Sequence, residues 1–153
     1  MPNNLIVKKS VTIHAPASWV WEAMTRPELV KQFMFGSDVV CDWKVGSEIV
    51  FKGQLKGKEI IFVKGHIVRL EPQRLLEYSC FGPDTGLEDI PANYTKVTYV
   101  LIPEKESTLV TVTQGDFSLM GDGEKRHADS VKGWEYALDG LKNVAEGLVK
   151  TLS

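Results

Sequence analysis

The chain has 153 residues, 43% of them hydrophobic and 25% charged, which suits one ordinary globular domain able to bury a core. Its 18 Lys and Arg against 20 Asp and Glu leave a formal charge of −2 with no basic run, which argues against a nucleic-acid partner, since phosphate binding needs clustered cations. Two cysteines, Cys41 and Cys80, are too few for a disulfide scaffold or a Cys-type zinc site and are expected as buried free thiols.

The first residues, Met1-Pro2-Asn3-Asn4, lack the charged-then-apolar build of a signal peptide, and no apolar run is long enough to span a bilayer, so a cytoplasmic location is expected. Residues 5–14 alternate loosely through Val7, Val11 and Ile13 and predict a first strand. Ala15-Pro16-Ala17-Ser18 opens a short helix carrying Trp19, Val20, Ala23 and Met24. Thr25 is expected to cap a second short helix, with Glu28 completing a capping box and Leu29, Val30, Phe33 and Met34 on its apolar side. Strands are then predicted at 36–43, 48–53 (Ile49 and Phe51 in one phase) and 59–70, the last bulged or bent at Gly65. Leu76, Tyr78 and Cys80 alternate with Glu77 and Ser79 in the next. Strands at 94–102 and 108–117 follow, with Val97, Tyr99 and Leu101, then Val110, Val112 and Gln114, facing one way.

The last segment, 122–153, reads as one long helix. From Trp134, the residues Leu138, Leu141, Ala145, Leu148 and Leu152 follow at alternating steps of four and three, while Lys132, Glu135, Asp139, Lys142, Glu146 and Lys150 fall opposite. Asp122 is the expected N-cap. Gly133, Gly140 and Gly147 recur every seven residues along one flank. Each costs about 1 kcal/mol relative to Ala, so the stripe implies close approach, of the sheet in the simpler reading or of a bound molecule in the other. Two short helices, about six hairpin strands and a long terminal helix imply an α+β fold: a twisted antiparallel sheet curling around the helix. The connection at 81–93 is the longest and holds Leu87 and Ile90. It is expected to be either a lid over a cavity mouth or a surface insertion.

The run Ala15-Pro16-Ala17-x-x-Val20-Trp21-Glu22-Ala23-Met24-Thr25-x-Pro27-Glu28-Leu29-x-Lys31-Gln32-Phe33 closely resembles the opening of the SRPBCC (START/Bet v1-like) superfamily, and more narrowly its AHSA1-like group, related to the activator of the ninety-kilodalton heat-shock chaperone ATPase. Trp43-x-x-Gly46, Phe51, Gly65-x-Ile67 and the closing Gly133-Trp134-x-x-x-Leu138-x-x-Leu141 also match, so the resemblance covers nearly the whole chain. It implies a helix-grip fold with a cavity between sheet and helix. Its members bind hydrophobic small molecules, act on polyketides, or serve as partners in stress responses. Phe33-Met34-Phe35-Gly36 and the 82–93 loop depart from the family pattern, and both are expected at the cavity entrance.

The sequence carries no recognisable catalytic motif. His14, His66 and His127 stand at no metal-ligand spacing, and neither a nucleophile elbow nor a phosphate-binding glycine motif occurs, so no cofactor or metal is expected. Asp84, Glu88 and Asp89 sit on a loop expected to be solvated, with ordinary pKa values. The candidate site is instead the inward aromatic phase: Phe51, Tyr78, Tyr99, Gln114, Trp134 and Leu138, apolar with a few placed polar groups, as ligand pockets are. The leading expectation is a non-enzymatic protein, monomer or homodimer, that holds a small hydrophobic ligand. The alternatives are a chaperone-associated interaction domain and a cyclase- or hydrolase-like enzyme using Tyr78, Tyr99 or His66.

Overall fold

The computed structural model describes residues 5–152, apart from the side chains of Asp84, Thr151 and Leu152. The readings that fall on residues 1–4, on Ser153, on the Asp84 carboxylate and on the Leu152 side chain lie outside the described residues.

Seven strands form one antiparallel sheet: β1 (Val7–Ile13), β2 (Asp38–Cys41), β3 (Glu48–Leu55), β4 (Lys58–Glu71), β5 (Leu75–Cys80), β6 (Thr95–Pro103) and β7 (Thr108–Gly115), in the order β1-β7-β6-β5-β4-β3-β2. Helices α1 (Ala17–Thr25) and α2 (Pro27–Phe33) connect the two edge strands, and α3 (Gly123–Leu152) closes the chain. This is the helix-grip α+β arrangement. With 30 residues, α3 is about 45 Å long. Its backbone comes close to β1, α1 and α2, while side chains bridge it to the middle of the sheet.

The alternating phases face inward as expected. Ile49 and Phe51, Val97, Tyr99 and Leu101, and Val110 and Val112 are all buried, and Trp134, Leu138, Leu141 and Ala145 of α3 pack into the same core. β4 bends as the sequence predicts. Its register slips against β3 between Phe51 and Lys52, and against β5 between Ile67 and Arg69. Gly65 lies between these slips, and a Cβ there would stand 1.7 Å from the Ser79 carbonyl oxygen, so only glycine lets the two strands meet. The bulges curl the sheet and open a concave face toward α3.

Two predicted helix starts are corrected. Thr25 ends α1, and its hydroxyl donates back to the Trp21 carbonyl at 2.8 Å rather than capping α2. Arg26 is the residue before α2; its extended backbone (φ −78°, ψ 123°) is what a following proline imposes. Asp122 precedes α3 at φ 55°, outside the extended region of a capping residue, and meets the helix through its carbonyl, which accepts from Arg126 N at 3.0 Å. Glu77, in the outward phase of β5, is nevertheless buried, because Arg69 grips both its oxygens (3.2 and 3.1 Å) and Thr98 donates at 2.7 Å. No helix among the described residues is long and apolar enough to cross a membrane.

Candidate ligand-binding site

Between α3 and the sheet lies a cavity of about 390 Å³, within the range of small-molecule sites. Phe51, Phe62 and Val63 of β3 and β4, Tyr78 and Cys80 of β5, and Val97 and Gln114 of β6 and β7 form its sheet side. Ser130, Gly133, Trp134 and Ala137 line it from α3, and Met34, Phe35 and Ser37 from the turn after α2. Phe35 holds a left-handed backbone (φ 57°) and stacks on Tyr136 at 5.1 Å between ring centroids. Both rings are largely exposed, so this aromatic pair lies at the surface beside the cavity.

The polar side chains of the wall are mostly spent on one another. Gln114 is the hub. Its Oε1 accepts from Ser130 Oγ and from Trp134 Nε1, both at 2.7 Å, and its Nε2 donates to Thr95 Oγ1 at 2.9 Å and weakly to Cys80 Sγ at 3.7 Å. An amide offers two donors and two acceptor sites, so nothing is left over. Ser37 Oγ donates to the Met34 carbonyl at 2.6 Å. Tyr78 Oη has no hydrogen-bond partner among the described residues, although the residue is only 2% exposed. Burial holds the Tyr78 phenol well above its ordinary pKa, with Tyr99 and Cys80 adding to the shift, and burial pushes the Cys80 thiol up to about 11. Both groups stay protonated at neutral pH, able to donate a hydrogen bond but poorly suited to act as base or nucleophile.

Phe51, Tyr78, Gln114 and Trp134 of the predicted set therefore share the cavity wall. Tyr99 and Leu138 lie behind it. Tyr99 packs edge-on against Trp134 (5.6 Å, 83°), and Leu138 is 3% exposed in the core. His66 is exposed, its backbone N–H held by Ser79 Oγ at 2.9 Å, and it takes no part in the wall.

The sequence profile of the Activator of Hsp90 ATPase homolog 1-like protein family matches residues 14–146. The chain belongs to this family. Among solved structures, a Cytophaga hutchinsonii protein known from its solution structure is similar at 41% identity and a TM-score of 0.80, over 98% of this chain and 99% of that one. CalU16 from Micromonospora echinospora is 23% identical (TM-score 0.69, 95% of this chain and 79% of that one). The Aha1 dimer from Colwellia psychrerythraea is 19% identical (TM-score 0.70, 92% and 96%). The last two show a shared fold. No curated protein matches the chain.

In this AHSA1-like chain the 81–93 connection does not border the cavity beneath α3. It is fastened elsewhere: Lys64 Nζ pairs with Asp89, Tyr94 Oη donates to Asp89 Oδ1 at 2.7 Å, and Asn93 bridges the Glu88 carbonyl and the Gly121 N–H (2.8 and 3.2 Å). Lys64, then Tyr94, holds the Asp89 carboxyl below its ordinary range, where a solvated, unshifted group was expected. The three glycines spaced by seven along α3 also part company. A Cβ on Gly140 would stand 3.0 Å from Phe33 Cβ and 3.3 Å from Phe33 Cα, so the close approach there is to α2 rather than the sheet. A Cβ on Gly133 would meet only Phe35 Cζ, at 4.0 Å, and on Gly147 no atom within 4 Å.

The inward-phase reading missed Phe62. It is the extra residue of the β3–β4 bulge, lies out of the alternating phase, and rests its ring on Gly53, where a Cβ would stand 2.7 Å from Phe62 Cε2. Ser130 and Ala137, one turn on either side of Trp134, were legible from helical spacing alone.

Proposed function

We propose that this AHSA1-family protein binds a small, largely apolar molecule in the cavity between α3 and the sheet and leaves it chemically unchanged. Phe51, Tyr78, Gln114 and Trp134 are assigned to contact it, and Tyr99 and Leu138 to hold that wall in place. The observation that carries this reading is the wall itself. It is dominated by aromatic and aliphatic side chains, its polar groups other than the Tyr78 hydroxyl are mostly bonded within the protein, and among the described residues no ionisable side chain beyond a protonated thiol and phenol faces the space. A reaction would need a positioned base or an activated nucleophile, and neither Tyr78 nor Cys80 fits that part. The chaperone partnership suggested by the family name would use a surface instead, and failure to enrich that chaperone from lysate would set it aside.

The test is a thermal-shift and native mass-spectrometry screen against lipids, aromatic polyketides and flavonoids. A ligand present at 100 times its Kd should stabilise the fold by about 2.7 kcal/mol. Gly133→Leu sends a side chain into the cavity from a helix that prefers leucine to glycine, so the variant should fold at least as well and lose the ligand shift. A wild-type protein that no class stabilises, or a variant that keeps the full shift, would overturn the reading.

A further inference from the structure

The cavity wall also specifies the polarity of its occupant. Of its polar side chains, Ser37, Ser130 and Trp134 each have their hydrogen directed to a protein acceptor, and Gln114 is saturated. Apart from the weak S–H donor of Cys80, the hydroxyl of Tyr78 is the exception. The residue is 2% exposed, its oxygen has no partner among the described residues, and no side-chain oxygen or nitrogen of the described residues is both sealed off and unpaired. The oxygen therefore keeps some accessible surface, and the cavity is the space that Tyr78 borders. An O–H left without an acceptor in an apolar wall is costly, so an acceptor placed there gains more than it would in water.

Charge is excluded by the same wall. No Lys, Arg, His, Asp or Glu borders the cavity among the described residues. A carboxylate or an ammonium entering it would lose its hydration and find no counter-ion. The rest of the lining favours rings: Phe51 lies 6.0 Å from Tyr78, tilted by 41°, and Phe35, Phe62 and Trp134 complete an aromatic enclosure.

We propose that the natural ligand is an uncharged, ring-bearing molecule whose carbonyl oxygen accepts a hydrogen bond from Tyr78 Oη while its apolar body fills the space between α3 and the sheet. The proposal rests on the cavity-binding reading above and goes further by fixing one polar contact and the absence of charge.

Three matched probes test it by titration calorimetry at pH 7: 2-acetylnaphthalene, 2-ethylnaphthalene and 2-naphthoate, each against the wild type and Tyr78→Phe. In the wild type the ketone should bind about tenfold more tightly than the hydrocarbon, and the carboxylate more weakly than either. In Tyr78→Phe the hydrocarbon should keep its affinity, which also shows the cavity intact, and the advantage of the ketone should vanish. Should the variant not fold, the wild-type ratio decides alone. A hydrocarbon that binds as well as the ketone, or a ketone advantage that survives in Tyr78→Phe, overturns the Tyr78 contact and leaves the binding reading standing. Carboxylate binding tighter than the ketone overturns the requirement for neutrality. If none of the three binds, the cavity reading falls and this proposal with it.

Discussion

Around Gly133 the long helix stands off the sheet and roofs a cavity, whereas seven residues on, around Gly140, it lies hard against α2. The two glycines share a register and a face. At one, the absent side chain leaves room; at the other, it lets two backbones approach. Farther along the packed half, polar groups fasten α3 to the end of β1, as Ser130 and Trp134 fasten the cavity half to Gln114 of β7. Lys142 Nζ donates to the Thr12 carbonyl at 3.0 Å, and Glu146 accepts from His14 N at 2.9 Å. One half of α3 is thus packed against α2 and β1, and the other covers the cavity while Ser130 and Trp134 tie it to Gln114 of β7. A repeat in sequence marks a repeated geometry, and the neighbours of each position decide what that geometry is used for.

Three measurements sharpen or break this contrast. The largest effect belongs to the packed half. Gly140→Leu drives a side chain into the Phe33 backbone and should cost about 3 kcal/mol, at the upper end for overpacking, lowering the urea midpoint without changing its slope. A variant as stable as the wild type would mean that α2 yields freely and that the halves are alike. Next, Gly133→Ala on the cavity half should raise stability by up to about 1 kcal/mol, since the new methyl group meets only Phe35 Cζ and the helix gains propensity. A loss of stability there would show the roof to be as tightly fitted as the rest.

The smallest effect is that of Glu146. Burial alone would raise its carboxyl pKa. The hydrogen bonds from Lys142 and from the His14 N–H outweigh that and hold it below the ordinary carboxylate value. A depressed folded-state pKa means stability that is present above the unfolded value and lost as pH falls through the folded one. Glu146→Gln should therefore cost about 1 kcal/mol or less at pH 7, and the gap between variant and wild type should close as acid protonates the native carboxylate. A gap unchanged down to pH 2 would remove this tie from the account.

The order of elements was readable because each strand alternates and α3 repeats. Val97, Tyr99 and Leu101 point inward for the same reason that their neighbours point out. The same logic found Phe51, Tyr78, Gln114 and Trp134, because a periodicity identifies a face. It could not separate the residues on the cavity wall from Tyr99 and Leu138 behind it, since burial looks the same in both places. Phe62 escaped because a bulge shifts the phase, and a bulge is set by how two strands pair. Residues 81–93 were judged by length and composition, and no spacing rule joins Lys64 to Asp89, the contact that fixes where the loop lies. Pro27 holds Arg26 out of the helix and makes it, rather than Thr25, the residue before α2, and the Thr25 hydroxyl turns back to Trp21.

The Gln114 amide has one more consequence. An oily stripe tolerates sliding: a shift of α3 by one turn, about 5.4 Å, would exchange one leucine contact for another at modest cost. An oxygen that accepts from both Ser130 and Trp134, four positions apart on that helix, is satisfied at a single axial setting. Gln114 therefore acts as an index mark for α3, set in the wall of the chamber that the helix covers.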